Sequence, residues 1–138
     1  MKRKIRKGKS GFLLGVYPIG FEHVDIYVDY NINGGWMDLN PSAEQHGIIT
    51  IGFCGYRPCE WRKVVAIFLH ETAEYLSARL RIRYDPSENA SNSSGNFIFV
   101  ATHEQFAELC ARQGEVVAAA LPDLGRAWKR YLKRRKGR

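Results

Sequence analysis

One histidine and two glutamates, His70, Glu71 and Glu74, stand at the centre of the stretch Glu60 to Arg83, EWRKVVAIFLHETAEYLSARLRIR. Set four apart, His70 and Glu74 share one ridge of a helix, with Cβ atoms roughly 5–6 Å apart, and could grip one ion. Glu71 is rotated by about 100° and flanks such an ion rather than joining the ridge. The apolar run Val64-Val65-Ala66-Ile67-Phe68-Leu69 leads into them, and Leu76 and Leu80 resume the pattern beyond. A helix apolar on most sides is expected to be buried. Burying an imidazole and two carboxylates is costly without compensation of their charge. A metal cation would provide it.

Thr102-His103-Glu104-Gln105 begins a second helix with a threonine N-cap and a glutamine at the third position, a capping-box pattern. His103 therefore stands on the first turn of the helix that follows, and is the third candidate ligand. His70, Glu74 and His103 would supply two imidazoles and one carboxylate. That set leaves a Zn²⁺ site with net positive charge, able to acidify water towards neutral pH. Two histidines and a carboxylate also serve non-haem iron, but such ligands generally lie on barrel strands rather than on a helix.

At these residues the chain resembles the zincin metallopeptidase superfamily, in particular small single-domain members of the kind found in phages and bacteria. The matching parts are a strand, Gly47–Cys54, the helix with His70-Glu71-x-x-Glu74, and a following helix with His103. They cover about half of the chain. In the usual motif the residue four after the first histidine is a second histidine; here it is Glu74. The resemblance implies His70 as first metal ligand, Glu71 as general base, Glu74 at the second ligand position and His103, by order, at the third. It implies one Zn²⁺ per chain, and a peptide or protein substrate added as a strand to an edge at Gly47–Cys54.

Plainer readings stand beside these. His70 could be a core histidine bonded to a backbone carbonyl. Glu74 could pair with Arg79 or Arg81, and His103 could simply open its helix, with Glu104 answering the helix dipole. His23 and His46 are the reserve ligands. Tyr84 and Tyr75 are the phenols that could polarise an oxyanion, although packing is the simpler role for both.

Other elements must position these residues. Phe12 to Ile19 reads as a strand. In Glu22 to Tyr30, Val24, Ile26, Val28 and Tyr30 alternate with His23, Asp25, Tyr27 and Asp29, the period of a strand with one buried face. Asn33-Gly34-Gly35 supplies a turn with positive φ, and Trp36 to Leu39 reads as a short strand. Gly47 to Cys54, GIITIGFC, is rich in β-branched residues and reads as another. Asp85 to Gly95 is a polar loop, and Asn96 to Ala101 an extended stretch. Phe106, Leu109, Cys110 and Val117 make the apolar stripe of the helix after Thr102. Pro122-Asp123 interrupts it, so Leu124, Trp128 and Leu132 should anchor a separate last helix. The expected fold is α+β: a small, mostly antiparallel sheet packed on the central helix, with two further C-terminal helices.

The 138 residues suit one domain. Residues 10–125 form the zincin-like domain, between a basic N-terminal tail, 1–9, and a basic end, 126–138. The net charge of +7 hides a division. Residues 2–9 hold six Lys or Arg and residues 126–138 hold eight, neither with an acid, so the middle carries 7 − 14 = −7. Cationic ends on an acidic body could contact nucleic acid or another polyanion, or simply be solvated. No apolar run approaches a membrane span of roughly 20 residues, and no signal peptide is recognisable. Three cysteines, Cys54, Cys59 and Cys110, are too few for a disulfide framework and read as small buried hydrophobes. They point to a reducing, cytoplasmic setting. The functions expected are a zinc-dependent metallopeptidase, a hydrolase with Glu71 as base, or an inactive zincin-like protein binding a polyanion through its basic ends.

Overall fold

The computed structural model describes residues 11–39, 46–53, 60–84 and 97–137. Cys54, Cys59, the N-terminal tail and the polar segment Asp85 to Gly95 lie outside the described residues. The fold is α+β, with strands β1 (Gly11–Ile19), β2 (Glu22–Asp29), β3 (Gly35–Asp38) and β4 (Gly47–Gly52), then helix α1 (Trp61–Arg79). A two-stranded ribbon of β5 (Arg83–Tyr84) and β6 (Ile98–Phe99) precedes helix α2 (His103–Lys136).

The four-stranded sheet has the order β1-β2-β4-β3. β1 and β2 form an antiparallel hairpin through Gly20, at φ 65°. β4 inserts between β2 and β3, parallel to the first and antiparallel to the second. The stretch predicted as the substrate-binding edge is therefore an interior strand: both sides of β4 are already bonded, and β3 takes the edge beside it. The reason lies in composition. Ile49, Ile51 and Phe53 bury completely, as interior positions demand, whereas the four-residue β3 leaves Trp36 45% exposed.

Val24, Ile26 and Val28 of β2 face Ile49 and Ile51 of β4 on one side of the sheet, and both helices cover that side. α1 lies against β3 and β4, while α2 lies against β1 and α1. Tyr17 of β1 donates to Asp123 of α2 at 2.7 Å, tying the hairpin to the long helix. Burial and this partner push the Tyr17 phenol well above its usual range.

Two expectations about the helices are corrected. α1 stops at Arg79, four residues short of the predicted end. Arg81 adopts φ 57°, and its N–H and that of Ile82 close on the carbonyls of Ala78 and Ser77 in a Schellman turn. α2 does not restart at Pro122 but runs through it as one helix of 34 residues. Val116, Ala120, Leu124, Ala127, Trp128 and Tyr131 form a single buried stripe across the proline. That continuity outweighs the lost hydrogen bond, and the Ala118 carbonyl freed by Pro122 lies on an exposed turn where water can bond it. At the other end of α2, the capping box of Thr102 and Gln105 is present as read. Phe106 and Cys110, predicted as part of the buried stripe, are exposed. No described helix is long and apolar enough to cross a membrane.

Candidate metal centre

α1 is not buried all round. Val64, Phe68, Thr72, Tyr75 and Leu76 face the core, whereas Ala66, Leu69 and His70 look outward. Of the three ionisable residues in the motif, only Glu71 is buried, with its side chain 5% exposed; Glu74 is half-buried and the His70 side chain is 64% exposed. The expectation that all three sit in the core is corrected. Ridge and flank differ by one residue, or about 100°, and that turns Glu71 inward and His70 outward.

Ligand atoms of His70, Glu71 and Glu74 nevertheless gather within 4.8 Å of one another. His70 Nδ1 lies 3.1 Å from Glu71 Oε1. When Glu71 is ionised it can only accept, which puts the hydrogen on Nδ1 and the lone pair on Nε2, the arrangement of a metal-ligating histidine steadied by a carboxylate. Zinc bonds of 2.0–2.2 Å place two ligand atoms about 3.4 Å apart on a tetrahedral ion. Among the described residues Glu74 takes neither Arg79 nor Arg81; Arg79 is held by Glu22, the Tyr75 hydroxyl and the Leu39 carbonyl.

Two residues that sequence reasoning passed over shape this centre. Gly35, read as part of a turn, belongs to β3, and Gly34 alone holds the positive φ of 82°. A Cβ on Gly35 would stand 2.7 Å from Glu71 Cγ and 2.7 Å from the Thr50 carbonyl oxygen. The edge strand thus closes over Glu71, and that desolvation is what pushes its carboxyl above the usual range, with the His70 hydrogen bond opposing. Gln113 of α2 donates at 2.9 Å to both the Leu69 carbonyl and Thr72 Oγ1, clamping the turn that carries His70 and Glu71. A run of Gly-Gly before a strand carries a weak hint of close approach; a lone glutamine in a helix carries none.

His103 opens α2 as expected, but it is not in the group formed by His70, Glu71 and Glu74. The helices run antiparallel, since Gln113 meets Leu69 while Gln105 reaches the Leu80 carbonyl at 3.5 Å. Leu80 is ten residues beyond His70, or about 15 Å along the axis at 1.5 Å per residue. His103 therefore sits near the far end of α1. The two-histidine set expected for zinc or iron is not brought together among the described residues. The reserve residues His23 and His46 lie elsewhere, with rings 5.7 Å apart and His46 Nδ1 2.8 Å from Asp25. Tyr84 pairs with Ile98 in the ribbon and is 52% exposed. Tyr75 is fully buried, its hydroxyl accepting from Arg79 at 3.3 Å.

No family model, curated protein or solved structure matches this chain.

Proposed function

We propose that the chain is a metal-dependent hydrolase of peptide bonds, with zinc held by His70 and Glu74 and with Glu71 as general base. The observation that carries this reading is the convergence of three ligand-type side chains on two successive turns of α1, one of them a carboxylate buried beneath a strand. A purely structural carboxylate at Glu71 would be a poor choice, because burial disfavours its charge and, among the described residues, no arginine or lysine answers it.

Bound zinc would supply Lewis-acid activation of water and of a carbonyl. The protein's own groups do the rest. His70 offers Nε2 because Nδ1 is engaged by Glu71. Glu71 takes a proton from the attacking water at a carboxylate oxygen and delivers it to the leaving amine. Burial suits that task, since a base works best when its affinity for protons rises towards the operating pH. β3 is the sheet edge nearest Glu71, and its outer side is unpaired by any described strand, so an extended peptide could add there.

Wild type and Glu71→Gln, each assayed for zinc and digested against one broad peptide library, test the reading. Both should carry about one zinc per chain. Hydrolysis should fall by about 10² or more in the variant, the usual scale for a lost general base. If the zinc-loaded wild type cuts nothing that Glu71→Gln spares, the hydrolase reading should be dropped.

A further inference from the structure

The basic residues near the end of α2 are gathered rather than scattered. At 100° per residue, Arg126, Lys129, Arg130, Lys133, Arg134 and Lys136 fall on one arc of about 160°, and all six are exposed. Leu124, Ala127, Trp128 and Tyr131 fill the opposite side and are buried. No acid follows Asp123, which is taken by Arg126 and Tyr17. Among the described residues, Lys129, Arg130, Lys133 and Lys136 have no carboxylate partner. Cations in the last turn answer the helix dipole, but that effect fades within one turn and does not reach Arg126, Lys129 or Arg130.

The basic arc lies beside the start of the first strand. Phe12, near the start of β1, packs on Tyr30 at 5.5 Å between ring centroids, and Tyr30 packs on Tyr131 at 5.0 Å. The Arg134 guanidinium lies 5.7 Å over the Tyr30 ring. β1 therefore starts beside the basic turns of α2.

We propose that this basic arc of α2 is a binding surface for double-helical DNA, engaging phosphates without reading bases. Three features choose this partner over other polyanions. On the basic turns of α2 the apolar side, Leu124, Ala127, Trp128 and Tyr131, is spent in the core, so that stretch has no apolar face to lay into a lipid surface. Trp128 and Tyr131 are buried, so the arc carries no aromatic platform on which single-stranded bases could stack. An exposed helical arc matches the wide major groove of B-form DNA and its phosphate rims, whereas the A-form RNA groove is too narrow for it.

The test is fluorescence anisotropy with a 20-base-pair DNA duplex of arbitrary sequence, titrated at several salt concentrations. Each phosphate neutralised contributes about −0.9 to the slope of log K against log salt. Replacing Lys129, Arg130 and Lys133 together by Gln should flatten the slope by about 3 and weaken binding at least tenfold at 0.15 M salt. These side chains point to solvent, and an unchanged near-ultraviolet signal from the buried tryptophan would verify the fold. Arg81→Gly with Arg83→Gln, at the far end of the molecule, should leave the slope as in wild type, and so should Glu71→Gln, whatever its effect on hydrolysis. The proposal is overturned by a triple variant that binds like wild type, or by no duplex binding at 0.05 M salt. Tighter binding to a single strand, an RNA duplex or phosphatidylserine vesicles would overturn it too.

Discussion

A carboxylate held beneath a strand costs stability that a neutral side chain would not, and at Glu71 that cost can be read from pH. Burial raises its carboxyl in the native state, while in the unfolded chain it titrates in the ordinary glutamate range. The native state thus binds the proton more tightly. Stability is fully present below the unfolded value and is lost as pH rises through the raised one. Glu71→Gln keeps the shape and the acceptor for His70 Nδ1 but cannot ionise. The metal-free variant should melt above metal-free wild type at neutral pH, and the two should converge near pH 4. Parallel melting curves at every pH would show that Glu71 carries no such cost. Gly35 sets this environment from the other side, because any Cβ there would collide with both Glu71 and the β4 backbone.

At the scale of elements, α1 ends in a way its residues do not favour. Arg81 occupies the C′ position of a Schellman turn in the left-handed region, where a side chain costs roughly 1–2 kcal/mol and glycine costs little. Arg81→Gly should therefore stabilise the fold by about 1 kcal/mol, measured as a higher denaturation midpoint with an unchanged m-value. A lower midpoint would mean that the arginine side chain contributes more than its backbone strain removes. The early stop matters for the rest of the chain, since residues 82–84 leave the helix and Arg83 and Tyr84 pair with Phe99 and Ile98. That ribbon leads into α2, whose 34 residues then span the molecule despite Pro122.

Across the whole molecule, the antiparallel arrangement of the two helices decides which residues can act together. Gln113 lands beside His70 and Glu71, and His103 lands about 15 Å away along α1. His103→Ala should accordingly keep wild-type zinc content, whereas His70→Ala should lose it. Loss of metal from His103→Ala would require α2 to shift its register on α1 by several turns. The same arrangement carries the far end of α2, with its basic arc, to the start of β1 and away from the ribbon.

Local rules were enough for what depends on neighbours in sequence. The alternation in Glu22 to Tyr30 marked a strand with one buried face, Thr102 and Gln105 marked a helix start, and the four-residue spacing of His70 and Glu74 placed both on one ridge. Each of these follows from a fixed period or a hydrogen bond closing within a few residues. What lay beyond that reach was decided by tertiary contact. Pro122 reads as a break until the buried stripe on both sides of it is seen packed against one core. Gly47 to Gly52 reads as a strand, but its place between two others depends on partners distant in sequence. Glu71, rather than His70, is the buried member of the motif because β3 lies over it, and Gly35 allows that contact by having no side chain. The cations near the end of α2 are legible in composition, but their exposure on one arc is decided by which side of that helix the core takes.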